Sequence, residues 1–378
     1  MKIFYFRNEM FVPGGIGRVL SDRINYLAEK ENYEIYVVIM NQEGKELFYL
    51  LNNKVKVIDL EIPLMKKSNF IINYIKNIFK RKIHKKKIEK IIEKEKPDIL
   101  VSLGDSETAF LHKIKVDSNI KRIREYHFNK NFRFLKENLS FIDKLRAYRM
   151  KRIEENNLKY YNQTIVLTNE DEKNWNDTRI KVIPNPLPFY FDEFSKCENK
   201  KIISVGRLDE QKGYDILIDV WNMISKKYPD WILEIYGEGP ERENLQNKIN
   251  KLGLEKSFLL KGAVKNIQDK YLESSIYVMS SRYEGMPMVL LETMACGLPV
   301  VSFDCPCGPK DIIKDNEDGF IVKFGNIEQM AEKIEELILD EEKRKLFGKN
   351  ARKNIQRYSQ DKIMKQWKEL FEELVRNK

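Results

Sequence analysis

Short runs of apolar and β-branched residues, each ending in a turn, alternate along the chain with longer stretches in which apolar residues recur every three or four positions. The first pattern predicts strands and the second amphipathic helices. Strands are expected at KIFYF (2–6), EIYVVIM (34–40), VKVIDL (55–60), DILVSL (98–103), RIREYH (122–127) and TIVLT (164–168). The second half repeats the grammar at KIISVG (201–206), WILEIYG (231–237), SFLLKG (257–262), IYVMSS (276–281), PVVSF (299–303) and GFIV (319–322). Continuous apolar content suits strands covered on both faces, as in parallel sheets flanked by helices. The expected fold class is α/β, with two Rossmann-like doubly wound units.

The segment VIPNPLPFYFDEFSKCENK (182–200) carries prolines at 184, 186 and 188 and a polar end. Those prolines deny it a regular helix, so it marks the join between the units. The expected division is a first domain over 1–185, a linker over 186–199 and a second domain over 200–358. Beyond about residue 326 the pattern is helical to the end, and the last helix, about 359–378, is placed to pack back on the first domain. No low-complexity tract or short-period repeat occurs.

Composition narrows the class. A chain of 378 residues suits two domains, and 42% hydrophobic with 33% charged residues excludes wholesale disorder. No run of about 18 apolar residues occurs, and MKIFYFRNEM meets charge too soon for a signal-peptide core. An intracellular, non-spanning protein is expected. Cys197, Cys296, Cys305 and Cys307 lack zinc-site spacing and disulfide density; reduced thiols are expected, with Cys305-Pro306-Cys307 as the one candidate metal pair.

The net charge of +10 lies wholly in the first half: residues 1–200 hold 39 Lys and Arg against 28 Asp and Glu. Residues 66–96 hold 12 against 3, and residues 121–152 hold 11 against 3. Such asymmetry predicts an anionic partner for the first half: a membrane surface, a phosphorylated substrate or nucleic acid. Nucleic acid is disfavoured, because the three aromatics of 66–96 fall on a helical apolar stripe rather than forming stacking platforms. In that segment Ile71, Ile75, Ile78, Phe79 and Ile83 share one face, with Lys76, Lys80, Arg81 and Lys82 around it. Two readings stand: docking on an anionic membrane, with Lys85, Lys86 and Lys87 in contact, or a stripe that covers the sheet beneath solvated lysines.

Ligands of open α/β sheets bind at the carboxyl ends of strands. The first such loop, Pro13-Gly14-Gly15-Ile16-Gly17, precedes a helix and is either a tight turn or a contact for phosphate or sugar. KIISVG ends on Gly206 and opens onto Arg207, followed five residues later by Lys212, two cations at the mouth of a sheet that can grip a pyrophosphate or simply be solvated. In Glu284-Gly285-Met286-Pro287-Met288-Val289-Leu290-Leu291-Glu292, Pro287 suits a helix start and Gly297 its stop. Glu292 sits among apolar residues and needs a partner, either ribose hydroxyls or a basic side chain. Of the three histidines, His84 lies in a basic run and His112 in a predicted helix, where solvated roles are expected; His127 alone ends a strand.

In order and spacing, the GG loop, the IPNP linker, SVGRLDEQKG, EGMPMVLLETMACGLPVVSFD and DGFIV resemble the retaining glycosyltransferases of family 4, which have the GT-B fold of two Rossmann-like domains facing across a cleft. Residues 40–160 match nothing in that family beyond Tyr126-His127. The resemblance implies a donor site of Gly14, Gly15, Gly206, Arg207, Lys212, Glu284, Gly285, Met288, Val289 and Glu292. In it Arg207 and Lys212 hold the diphosphate, Glu292 the ribose, and Glu284 the transferred sugar, with His127 facing that sugar across the cleft. Glu284, His127, Arg207 and Lys212 are the implied catalytic residues. The loop Cys305-Pro306-Cys307-Gly308-Pro309-Lys310 looks like that of enzymes transferring galactose or N-acetylgalactosamine.

The activity implied is transfer of a hexose or N-acetylhexosamine from a UDP-sugar to a lipid-linked glycan, such as one on undecaprenyl diphosphate, or to a growing surface glycan. Configuration is retained, and no cofactor or metal is expected, since no Asp-x-Asp ends a strand. The implied location is the cytoplasmic face of the cell membrane, peripherally held. The alternatives are a UDP-sugar epimerase or glycogen-type synthase of the same fold and, from another class, a nucleic-acid binder.

Overall fold

The computed structural model describes residues 1–12, 14–62, 70–103, 111–135, 139–188 and 193–376, with backbone alone over 70–79. The first sheet contains β1 (Lys2–Arg7), β2 (Glu34–Ile39), β3 (Lys56–Asp59), β4 (Ile99–Ser102), β5 (Lys121–Glu125), β6 (Gln163–Val166) and β7 (Ile180–Val182), in the order 3-2-1-4-5-6-7. The second contains β8 (Lys201–Val205), β9 (Ile232–Tyr236), β10 (Phe258–Gly262), β11 (Ile276–Met279), β12 (Val300–Asp304) and β13 (Gly319–Lys323), in the order 10-9-8-11-12-13. All pairings are parallel. Each sheet reverses strand order once, between β1 and β4 and between β8 and β11, and such switch points open a crevice at the carboxyl ends.

Helices connect the strands: α1 (Gly15–Lys30), α2 (Phe70–Glu95), α3 (Phe141–Asn157) and α4 (Asn169–Glu172) in the first half. In the second half come α5 (Tyr214–Ile224), α6 (Arg242–Leu252), α7 (Ile267–Leu272), α8 (Met288–Ala295), α9 (Pro309–Ile312), α10 (Ile327–Leu339), α11 (Glu341–Asn354) and α12 (Gln360–Arg376). β1 shows why the strands read as continuously apolar. Its Ile3 and Tyr5 face a core shared with α1 and α12, whereas Phe4 and Phe6 face the core under α2. Neither face meets water, so alternation is erased. The strand that sequence reading passed over, β7, has three half-buried residues at the sheet edge, too few to show a period.

The α12 arm crosses from the second half to lie on α1. The Arg23 guanidinium stacks over Trp367 at 4.1 Å, Lys368 pairs with Glu31 at 2.6 Å, and Tyr26 Oη donates to Asp361 at 3.1 Å. Within α2, His84, Ile88 and Ile92 are buried on the sheet at helical spacing, which is the covering arrangement. The side chains of Ile71, Ile75, Lys76, Ile78 and Phe79, on which the membrane reading of this segment leaned, lie outside the described residues. Solvation of His84 is corrected: it is fully buried, its Nε2 is 3.1 Å from the Ile62 carbonyl, and burial pushes its pKa down to about 4. Of the three lysines expected at a membrane, Lys87 donates to the Leu60 carbonyl at 2.7 Å and Lys85 lies 3.6 Å from Glu89; Lys86 and Lys87 are both exposed. Among the described residues no helix is long and apolar enough to cross a membrane.

Candidate active site

The carboxyl ends of the two sheets face one another across a cleft of about 380 Å³. Arg7 at the end of β1 and Glu9 beyond it, His127 and Phe128 after β5, and Leu167 after β6 line it from the first domain; Gln211 after β8 and Glu284, Gly285, Met286 and Met288 after β11 line it from the second. Gly14, Gly15 and Gly17 form its floor at the start of α1. A Cβ on Gly14 or Gly15 would meet nothing within 4 Å, so these glycines leave room on the cleft side rather than serving a tight packing contact. Pro13 lies outside the described residues. A larger cavity of about 660 Å³ lies at the opposite, amino ends of β4 and β5, around Lys96, Asp98, Lys115 and Asp117. It is remote from both switch points and from every residue the motifs single out, so the chemistry is assigned to the smaller cleft.

Glu284 is only 6% exposed and is neutralised locally: Lys212 Nζ lies 2.8 Å from its Oε1, and Gln211 Nε2 is 3.5 Å from its Oε2. Lys212 reaches it because Asp209 caps the short turn Glu210–Lys212 and Gly213 ends that turn at a φ of 63°. A Cβ at Gly213 would lie 2.2 Å from the Ser280 carbonyl oxygen, so glycine is required there for both reasons. Arg207 does not join Lys212 at Glu284, and neither cation is among the residues that line the cleft. Its guanidinium is 71% exposed and its Nε donates to Asp209 at 2.6 Å. Gly206 lies beneath the Lys212 stem, where a Cβ would stand 3.1 Å from Lys212 Cε.

The segment from Glu284 is clamped on two sides. Its own N–H donates to the Pro306 carbonyl at 3.1 Å, and a Cβ on Gly308 would meet Pro287 Cδ at 2.3 Å, so the Cys305–Cys307 loop forms its backing. On the other side Gly285 touches the first domain, since a Cβ there would fall 2.3 Å from the His127 carbonyl oxygen. The thiols are structural: Asn129 Nδ2 donates to Cys307 Sγ at 2.7 Å, the Cys307 N–H donates to Glu170 Oε2 at 3.0 Å, and burial pushes both thiol pKa values up. Among the described residues no group of three His, Cys, Asp or Glu is placed to hold a metal ion.

α8 starts at the cleft with Met288 and Val289 half-buried and Pro287 as its cap. One turn on, Glu292 is buried with two partners, the Tyr271 hydroxyl donating at 3.1 Å and Arg18 of the first domain at 3.5 Å. Burial pushes its pKa up, and Arg18 and Tyr271 only partly oppose this. The folded state thus favours the protonated carboxyl. Its contribution to stability is complete below the unfolded value, near 4.5, and is lost as pH rises through the raised folded value. Glu292→Gln is therefore expected to raise the melting temperature at neutral pH and to leave it unchanged in acid, which thermal unfolding at a series of pH values checks; equal differences at all pH values would contradict the argument.

His127 is reached through a buried relay that the sequence did not announce. Its Nε2 lies 3.2 Å from Glu125 Oε2, off the hydrogen-bond axis, while Arg23 Nη2 donates to both Glu125 oxygens at 2.7 and 2.9 Å. Burial would raise the Glu125 pKa, but Arg23 and His127 outweigh it and hold the carboxyl below the usual range. Arg18, Arg23, Glu125 and Gln211 were all missed as functional candidates; only their neighbours carried a motif. Lys85, Lys86 and Lys87 lie on α2 and do not line the cleft.

A family profile described as "Glycosyl transferases group 1" matches residues 190–354. An uncharacterised glycosyltransferase of Haemophilus influenzae is 30% identical over 376 residues, covering 97% of this chain and 99% of its own length. The chain is a group 1 glycosyltransferase. A second relative of this glycosyltransferase is an α-1,4-N-acetyl-D-galactosaminyltransferase of Campylobacter jejuni that acts on a GalNAc-containing undecaprenol diphosphate; it is 26% identical over 96% of each chain. Among solved structures, TarM superposes with a TM-score of 0.79 at 19% identity over 98% of both chains. Sucrose-phosphate synthase of Thermosynechococcus elongatus superposes at 0.82 with 16% identity, covering 100% of both. The two facing sheets and these superpositions are those of the GT-B fold.

Proposed function

We propose that this glycosyltransferase moves a hexose or N-acetylhexosamine, galactose or N-acetylgalactosamine by preference, from a UDP-sugar to a lipid-linked or growing surface glycan with retention of configuration. The observation that carries the reading is the Lys212–Glu284 pair, whose buried Glu284 lines a cleft walled on the far side by His127 and floored by two unobstructed glycines. The names of relatives supply the substrate class: the Campylobacter enzyme acts on an undecaprenol-linked glycan, and the fold neighbours include TarM and HepE in complexes with UDP.

In this mechanism Lys212, with Arg207 released from Asp209, neutralises the charge that grows on the departing diphosphate. The bond from the anomeric carbon to the diphosphate oxygen breaks, and the acceptor hydroxyl oxygen bonds to that carbon on the same face. Its proton passes to the leaving phosphate oxygen. Glu292 holds ribose hydroxyls, and Glu284 and His127 orient the sugar ring from opposite walls. The cations and helix N–H groups carry the electrostatic work, so the proposed reaction needs no metal. The enzyme would act at the cytoplasmic face of the membrane.

A panel of UDP- and GDP-sugars, read by saturation-transfer contacts and by nucleoside diphosphate release, tests the donor. Release from a UDP-hexose or UDP-N-acetylhexosamine and an α-anomeric product by NMR are expected. Exclusive binding of GDP-sugars, or a β-linked product, would overturn the reading.

A further inference from the structure

The usual relation between helix face and polarity is lacking in α3. Of the residues from Phe141 to Asn157, only Ala147 and Glu154 are buried. Seven positions apart, these two define one inward stripe. Phe141 (82% exposed), Leu145 (62%) and Tyr148 (65%), followed by Arg152, recur at spacings of 4, 3 and 4 on a different stripe, and Ile142, Arg149 and Ile153 run beside it. An ordinary surface helix turns its apolar stripe to the core. Here no such stripe is turned to the core: the outward face mixes exposed apolar with basic side chains, and exposed apolar groups of this kind, rimmed by charge, mark a binding surface.

The charge pattern identifies the partner. The helix holds Lys144, Arg146, Arg149, Lys151 and Arg152 against Asp143, Glu154 and Glu155. All three carboxylates are engaged by the protein's own groups: Asp143 by Ser140 and by Arg146 at 3.5 Å, Glu154 by Arg133 at 2.8 Å, Glu155 by Lys130 at 2.8 Å. Lys144, Arg149 and Arg152 are exposed among the outward apolar residues. Aromatic and aliphatic side chains interleaved with arginine and lysine match the two layers of a lipid surface, acyl chains below and phosphates above.

We propose that α3 docks this glycosyltransferase on an anionic lipid bilayer, with Phe141, Leu145 and Tyr148 inserted and Arg149 and Arg152 at the phosphates. This moves the membrane contact away from the lysines of α2, where Ile88 and Ile92 are committed to the sheet and, of the apolar stripe read from the sequence, only Ile83 is described, half exposed. It also places the contact at the cleft. Arg133, Lys130 and Asn131, which receives Lys151 Nζ at 2.9 Å, tie α3 to the loop that begins at His127. Phe128, half exposed, lines the cleft in the same loop. A docked α3 therefore holds the cleft mouth close to the headgroups, where a lipid-linked acceptor would present its glycan. The inference rests on the proposed acceptor class for its purpose, but not for its test.

Flotation with phosphatidylcholine vesicles, with and without phosphatidylglycerol, provides the test. The wild type is expected to float with the phosphatidylglycerol vesicles, less so as salt rises. Arg149→Gln/Arg152→Gln should weaken binding about 30-fold, at roughly a fivefold loss per basic residue. Phe141→Ser/Leu145→Ser should weaken it at least about tenfold through lost apolar burial, whereas Lys85→Gln/Lys86→Gln/Lys87→Gln should stay within about threefold of wild type, since Lys85 and Lys87 are engaged by Glu89 and the Leu60 carbonyl and α2 is not the proposed docking helix. Nucleoside diphosphate release without lipid, unchanged in every variant, shows that the cleft is intact. Wild type that does not float, loss confined to the α2 variant, or α3 variants that instead dissolve a dimer in gel filtration would overturn the proposal. Flotation through α3 by an enzyme that consumes no UDP-sugar would refute the proposed function and leave the docking surface standing.

Discussion

Lys212→Ala is expected to lower sugar transfer by about 10² to 10³-fold, the usual effect of removing one preorganised donor that meets developing charge. The same substitution strands Glu284, which has 6% exposure and loses its cation 2.8 Å away. Breaking a buried pair from one side costs about 3–5 kcal/mol, so the melting temperature falls as well. The two effects separate in Lys212→Ala/Glu284→Gln. With no stranded charge, that double variant should regain most of the stability while remaining inactive. Recovery of turnover together with stability would mean that the pair is structural and that some other group meets the leaving diphosphate.

Gly285→Ala has the second large effect, and its origin is steric. The added Cβ would stand 2.3 Å from the His127 carbonyl oxygen and 3.2 Å from Phe128 Cα, both backbone atoms of the opposite domain. Neither is the movable end of a side chain, so the walls of the cleft must part by about 1 Å, and a misplacement of that size costs roughly 10²-fold in rate. Donor affinity, most of whose implied contacts lie in the second domain, should change only a few-fold, and the melting temperature little, because Gly285 belongs to neither core. Steady-state rates and calorimetric donor titrations read the two quantities separately. A variant with wild-type turnover would show that the domains do not meet here during catalysis.

The architecture is legible in the chain's apolar pattern. Most of the strands are buried on both faces and leave uninterrupted apolar runs, and even β3, half exposed at the sheet edge, keeps one; the exception, β7, is a three-residue edge strand too short to carry a period. Loop chemistry was legible for a related reason: the conformation of Gly213 and the contact at Gly285 exclude a Cβ, so the backbone demand itself appears as a residue type. Partners across space were not legible. That Glu292 meets Arg18, that Glu125 and Arg23 stand behind His127, and that Arg207 turns to Asp209 while Lys212 turns to Glu284 depend on where separate elements come to rest. Pattern also could not tell which amphipathic stripe faces inward. Residues 80–95 and 141–157 both mix apolar and basic residues at helical spacing, yet the first lays His84, Ile88 and Ile92 on the sheet and the second turns Phe141 and Leu145 to solvent. Periodicity specifies that a helix has two faces; only the surface left open by the neighbouring strands decides which of them is covered.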